Sequence, residues 1–152
     1  MMIVMKFFCL LLLATSAAMA QLSDVHSVYL LPMAGGLDQY LAVRLTGARA
    51  LPVVTDPKLA DAVLTDHLGA GFEEQLKGMR GPIEKVDGGT PPLSTFGRGH
   101  GNVFLVDVKS RQVLWSAYEK PRGSSPEALQ RTAKRVVADL EKALGSRTKP
   151  PA

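Results

Sequence analysis

The chain has 152 residues with 18 Lys+Arg against 14 Asp+Glu, 46% hydrophobic side chains and a single cysteine. Its first 20 residues read as a targeting segment that takes Lys6 and Cys9 with it, leaving 132 residues, 17 basic against 14 acidic groups, and no cysteine. That excludes a disulfide scaffold, a thiolate nucleophile, a Cys-ligated zinc or iron–sulfur site and a thioether lipid anchor, while the apolar content argues for one folded domain rather than disorder.

The start is basic, residues 7–14 (FFCLLLLA) form an unbroken apolar run, and Ala18-Met19-Ala20 has the small-x-small pattern of a signal-peptidase site. Cleavage between Ala20 and Gln21 is expected, with a periplasmic or secreted product. The run is shorter than the roughly 20 residues of a membrane-spanning helix, so the mature chain is expected to have no transmembrane segment. Cys9 sits inside the apolar run rather than after a cleavage motif, which disfavours a lipoprotein.

Residues 25–33 (VHSVYLLPM) are apolar and β-prone, with Pro32 closing the strand and Gly35-Gly36 supplying a turn. Asp38 occupies an N-cap or first-turn position, and Leu37, Tyr40, Leu41, Arg44, Leu45 and Ala48 recur at helical spacing, with Gly47 as the expected stop. Residues 50–55 (ALPVVT) and 61–65 (DAVLT) read as the second and third strands, separated by a short turn or helix that Asp56-Pro57 starts and that runs through Ala60, and 71–76 (GFEEQL) as a short helix. Residues 78–101 hold seven glycines and three prolines with few large apolar side chains, the composition of a flexible insertion. Residues 102–108 (NVFLVDV) are apolar on both faces, as in a central strand, and 113–118 (VLWSAY) return as a hairpin partner. The closing helix has Ser124 or Ser125 as N-cap, Pro126 in its first turn, and Glu127 completing a capping box with Ser124. Its apolar stripe is Leu129, Ala133, Val136, Val137, Leu140 and Leu144, and Gly145 is its stop; residues 147–152 are expected to be a disordered tail. The result is an α/β (α+β) domain over residues 21–146 with a mixed sheet of about five strands and two main helices, in the order β-α-β-β-(α)-loop-β-β-α. The chain has no internal repeat.

VVTDPKLADAVLTD, the later GNVFLVDVKSRQVLWSAYEKP and the amphipathic closing helix together resemble a broad group of exported bacterial domains. That group includes the amino-terminal domain of TolB-like proteins, the curli secretion protein CsgG family and small lipoproteins of the cell envelope. Ala60-Asp61 before a strand, and Asp107 with Trp115 in a hairpin ahead of the last helix, carry the likeness over residues 25–76 and 101–145. It implies an anticodon-binding-domain-like fold and assembly or scaffolding work at the envelope. Unlike the lipoproteins of the group, this chain has no lipobox cysteine.

No catalytic signature stands out. Gly35-Gly36 lies between strand and helix, where backbone amides cradle phosphate, but it has neither the spaced glycines of a dinucleotide fingerprint nor a P-loop lysine. A second glycine cluster, 97–101 (GRGHG), leads into a strand rather than out of one. Asp66-His67 with Glu73-Glu74, or with His100, are the metal candidates, yet adjacent residues of a strand point to opposite faces. Three scattered histidines, with no Gly-x-Ser-x-Gly and no His-Glu-x-x-His, support neither a serine triad nor a zinc hydrolase. Glu73-Glu74 reads as a solvated pair rather than a glycosidase couple, and Trp115 as a core residue. Residues 24–74 carry 3 basic and 7 acidic groups, residues 119–149 carry 8 and 4. The basic residues are interleaved with acids and lack aromatic partners, so nucleic acid is not the expected ligand. The reading is a non-enzymatic exported domain, without cofactor or metal, that binds an envelope protein or its own copy. The alternative is a small-molecule or glycan binder or hydrolase using the 78–101 loop with Arg98 and His100, and Trp115 is a further candidate contact.

Overall fold

A computed structural model describes residues 22–80, 101–120 and 122–145. Four strands, β1 (Val28–Leu30), β2 (Ala62–Thr65), β3 (Asn102–Asp107) and β4 (Val113–Tyr118), form one mixed sheet in that spatial order. β1 and β2 run parallel, Val28 against Ala62, and β2–β3 and β3–β4 are antiparallel. Three helices pack on it: α1 (Leu37–Ala48), α2 (Ala70–Arg80) and α3 (Pro126–Gly145).

The mixed α/β architecture expected from the sequence is present, with four strands rather than about five. Residues 50–55 do not make a strand: they touch the sheet at one parallel bridge, Val53 to Val28, with Val28 N donating to Pro52 O (2.9 Å) and Val54 N to Val28 O (3.0 Å). Pro52 has no N–H to continue a ladder. The short segment instead covers the outer edge of β1.

A β1–β2 parallel pair needs a crossover, which α1 supplies. The turn into it uses Gly35 (φ 68°) and Gly36 (φ 78°), a left-handed pair that glycine adopts without strain. Asp38 is buried in the first turn of α1, where its carboxylate accepts the Met33 N–H at 3.0 Å and the Gln39 Nε2–H at 2.8 Å, so it pins strand to helix. Gly47, the expected stop, lies inside α1; the helix runs to Ala48 and is capped by Arg49, in the left-handed region at φ 52°. Arg49 N–H reaches Leu45 O and Thr46 O, and Ala50 N reaches Leu45 O, the backbone pattern of a Schellman closure.

Helices α1 and α3 pack on each other and on one face of the sheet, around Leu41, Leu45, Leu64, Val103, Leu105, Val136 and Leu140. On the opposite face α2 places Phe72 and Leu76 over Leu31, Val63, Val106 and Val108. β3 is thus central and covered on both sides, as its doubly apolar sequence required. The short helix expected at 71–76 spans Ala70–Arg80, taking in Gly78 and Met79, which composition alone places in the glycine-rich insertion, and Met79 packs on the second core. At the other end of that insertion Gly101 is buried and its carbonyl accepts Glu119 N–H at 2.9 Å. Residues 81–100, the targeting segment 1–20 and the tail 147–152 lie outside the described residues.

The N-cap of α3 is Ser125, whose Oγ accepts Ala128 N–H (3.2 Å) and whose carbonyl accepts Leu129 N–H (3.0 Å). Its third helical residue is therefore Ala128, so Glu127 is one position short of a reciprocal capping box.

Candidate functional site

Among the described residues β4 is the sheet edge that has no neighbour. A sheet has two edges, and the 52–54 segment covers the β1 edge, whereas β4 pairs with β3 and with no other strand among the described residues. Glu119 N–H bonds to Gly101 O, so Gly101 and Glu119 face each other as a hydrogen-bonded pair. By the two-residue alternation of an antiparallel ladder, the backbone groups of Ala117 and Trp115 also point to β3, while those of Ser116 and Tyr118 point away from it. These outward groups can receive an added strand.

The side chains of β4 divide the same way. Leu114 and Trp115 pack, half-buried, against the core under α3. On the other face α2 covers Val106 of β3 and Val108 just beyond it, and Val113 (46% exposed) and Tyr118 (63% exposed) stand open. The pairing slips between Leu105 and Val106, where Leu105 opposes Trp115 and Val106 opposes Val113, so Leu114 is the extra residue of a bulge. Trp115, expected as a core residue, is therefore half-buried at the sheet's margin. Among the described residues its strand is an edge, with cover from one side only.

The β3–β4 turn is fixed by Asp107, which accepts the Ser110 N–H at 2.6 Å. Partial burial pushes the Asp107 carboxyl up, but the Ser110 N–H and hydroxyl, the Lys109 N–H and the Lys109 ammonium outweigh it and hold the group below its ordinary value. Arg111, left-handed at φ 63°, donates to Val108 O and places its Nε 3.3 Å from Glu73 Oε2, tying the turn to α2. Glu73 is thus an ion-pair partner, and Glu74 is exposed.

A second feature lies at the carboxyl ends of β1 and β2, the usual ligand position in α/β sheets. A cleft of about 210 Å³ is bounded there by Gly35, Asp66, Gly101, Asn102, Ser124 and Thr132, among others. Asp66 and His67 were expected to diverge as neighbours in a strand. β2 ends at Thr65, however, and His67 Nδ1 turns to within 2.7 Å of Asp66 Oδ1. Asp66 Oδ2 also accepts Ala34 N–H (2.9 Å), and the buried Thr65 hydroxyl bonds the His67 carbonyl (3.0 Å). These bonds make Asp66 a brace between the β2 end and the α1 turn. Among the described residues no three His, Cys, Asp or Glu side chains gather as a metal site. His26 is an exposed residue whose N–H bonds Asp61 Oδ2 at 2.9 Å. Arg98 and His100 lie outside the described residues, and among those described no helix is long and apolar enough to cross a membrane.

Comparison with protein-family models, with curated proteins and with solved structures finds no match to this chain.

Proposed function

We propose that this is a non-enzymatic, exported domain that works at the bacterial cell envelope by accepting an extended polypeptide segment along β4. The observation that carries the proposal is the β4 edge: outward backbone groups at Ser116 and Tyr118, beside the open side chains of Val113 and Tyr118. Natural sheets shield their edges with charge, proline or covering segments, as the 52–54 segment does for β1, because an open edge templates pairing. In strand addition the backbone bonds give affinity and alternate side chains give selectivity. The resemblance to TolB-like amino-terminal and CsgG-like domains, and the signal-peptide pattern at Ala18-Met19-Ala20, support the envelope setting of this reading.

The competing reading, a small-ligand binder, rests on the cleft beside Asp66, next to Gly101 where the chain leaves the Arg98 and His100 segment. As formed by the described residues its volume of about 210 Å³ is below the roughly 300–1,000 Å³ of small-molecule sites. The strand edge is the stronger basis.

A photo-crosslinking amino acid placed in turn at Val113, Ser116 and Tyr118, and at the exposed Lys58 as control, tests the proposal in cells expressing the full chain. Discrete adducts, or a dimer of the chain, from the β4 positions and not from Lys58 are expected. Equal patterns from all four positions would overturn it.

A further inference from the structure

A second concavity of about 350 Å³, which shares Thr132 with the cleft beside Asp66, lies between the end of β4 and the first turns of α3, bounded by Lys120, Arg122, Ala128, Arg131, Thr132 and Arg135. Four of its six lining residues are cationic and none is acidic. Arg131 and Arg135 are four apart on α3, so both side chains stand on one helix face, and like charges at that spacing are a local cost to the helix. Lys120 and Arg122 approach from the β4–α3 connection, and all four residues are exposed. Glu119 Oε2, 3.6 Å from Arg135 Nη1, is the carboxylate within ion-pair distance of this group among the described residues. Glu127 and Asp139 flank Arg131 and Arg135 at helical spacing without an ion pair to either, so the lining itself stays net positive in a concave setting, where field lines converge.

We infer that this concavity is a binding site for a compact polyanion of the phosphate class. Arginine's planar fork matches phosphate oxygens bidentately, and three of the four cations are arginines. Thr132 adds a hydroxyl donor. The lining has no aromatic ring, so the stacking that single-stranded nucleic acid requires is missing. The lining is also free of large apolar side chains that would insert into a bilayer, and its concave form suits a ligand of headgroup size rather than a flat charged surface. This site is on the α3 side of the β4 end and does not depend on strand addition at β4.

Titration of the purified protein with inorganic pyrophosphate at low ionic strength, followed by calorimetry, tests the site. Saturable binding that weakens steeply with added salt is expected. The Arg122→Ala/Arg131→Ala double variant should weaken it about tenfold or more, since two charge-assisted contacts are lost. Glu119→Gln should strengthen it, which misfolding would not do, and Lys77→Ala on α2 should leave it unchanged. Vesicles of phosphatidylglycerol and of phosphatidylcholine distinguish the source: retention on the former, displaced by pyrophosphate, identifies a lipid headgroup, and pyrophosphate binding without retention identifies a soluble phosphate compound. Absence of saturable pyrophosphate binding by the wild type, or equal weakening by Lys77→Ala, would overturn the inference.

Discussion

Replacing Trp115 by alanine probes whether the β4 margin is a packed part of the domain. Trp115 opposes Leu105 across the ladder and packs, half-buried, against the core beneath α3. A fully buried tryptophan truncated to alanine costs about 3–5 kcal/mol. With a minor part of the side chain still meeting solvent, and no closed cavity left at an edge strand, a loss somewhat below that range, about 2 kcal/mol, is expected here. For a domain of this size each kcal/mol moves the midpoint by about 4 °C, so the thermal midpoint should fall by about 8 °C. Circular dichroism melting of the purified mature protein and the variant measures it. A midpoint within about 1 °C of wild type would refute the packing argument and mark Trp115 as a ligand-stacking side chain instead. The other failure is a loss above about 4 kcal/mol, which would mean that the ring is enclosed on both sides.

Two changes in α1 should stabilise the domain. Gly47 is helical with open space where a Cβ would stand, so Gly47→Ala should gain up to about 1 kcal/mol, and Arg49→Gly should gain a similar amount by removing a left-handed non-glycine residue, both read by urea midpoints. Because its carboxyl is held below the ordinary value, Asp107 contributes stability that is present above the unfolded-chain pKa of about 3.9 and is lost as pH falls through the folded value. The stability difference between wild type and Asp107→Asn should therefore be constant from neutral pH to about 5 and shrink below about pH 4, and a difference that grows on acidification would contradict the sign.

The hairpin and α3 were legible in the sequence because their signals are local: two apolar runs, 102–108 and 113–118, joined by a short polar turn, a serine cap, and a stripe repeating every three or four residues. α1 was legible from its spacing although Val43, 72% exposed, blurs its apolar face. Its end was misplaced because glycine is the usual left-handed residue, and here Arg49 takes that conformation. Residues 50–55 looked like a strand by composition. Whether such a segment pairs along its length depends on long-range register, and Pro52 limits it to one bridge. The Asp66–His67 contact was hidden by a single residue, since β2 ends at Thr65 and the alternation rule stops there. That β4 is the uncovered edge among the described residues is also non-local: it follows from the parallel β1–β2 pairing and the cover over β1, neither of which VLWSAY encodes.

Ser116→Pro is the most direct test of whether backbone groups of β4 accept an added strand. The Ser116 N–H points away from β3, so proline there removes a donor that an added strand would use while leaving the β3–β4 bonds in place. Crosslinking from Tyr118 is compared in wild type and in the Ser116→Pro background, with thermal midpoints recorded for both. Loss of the Tyr118 adducts with a midpoint within a few degrees of wild type is the predicted result. Undiminished adducts from a folded Ser116→Pro protein would contradict strand addition at β4.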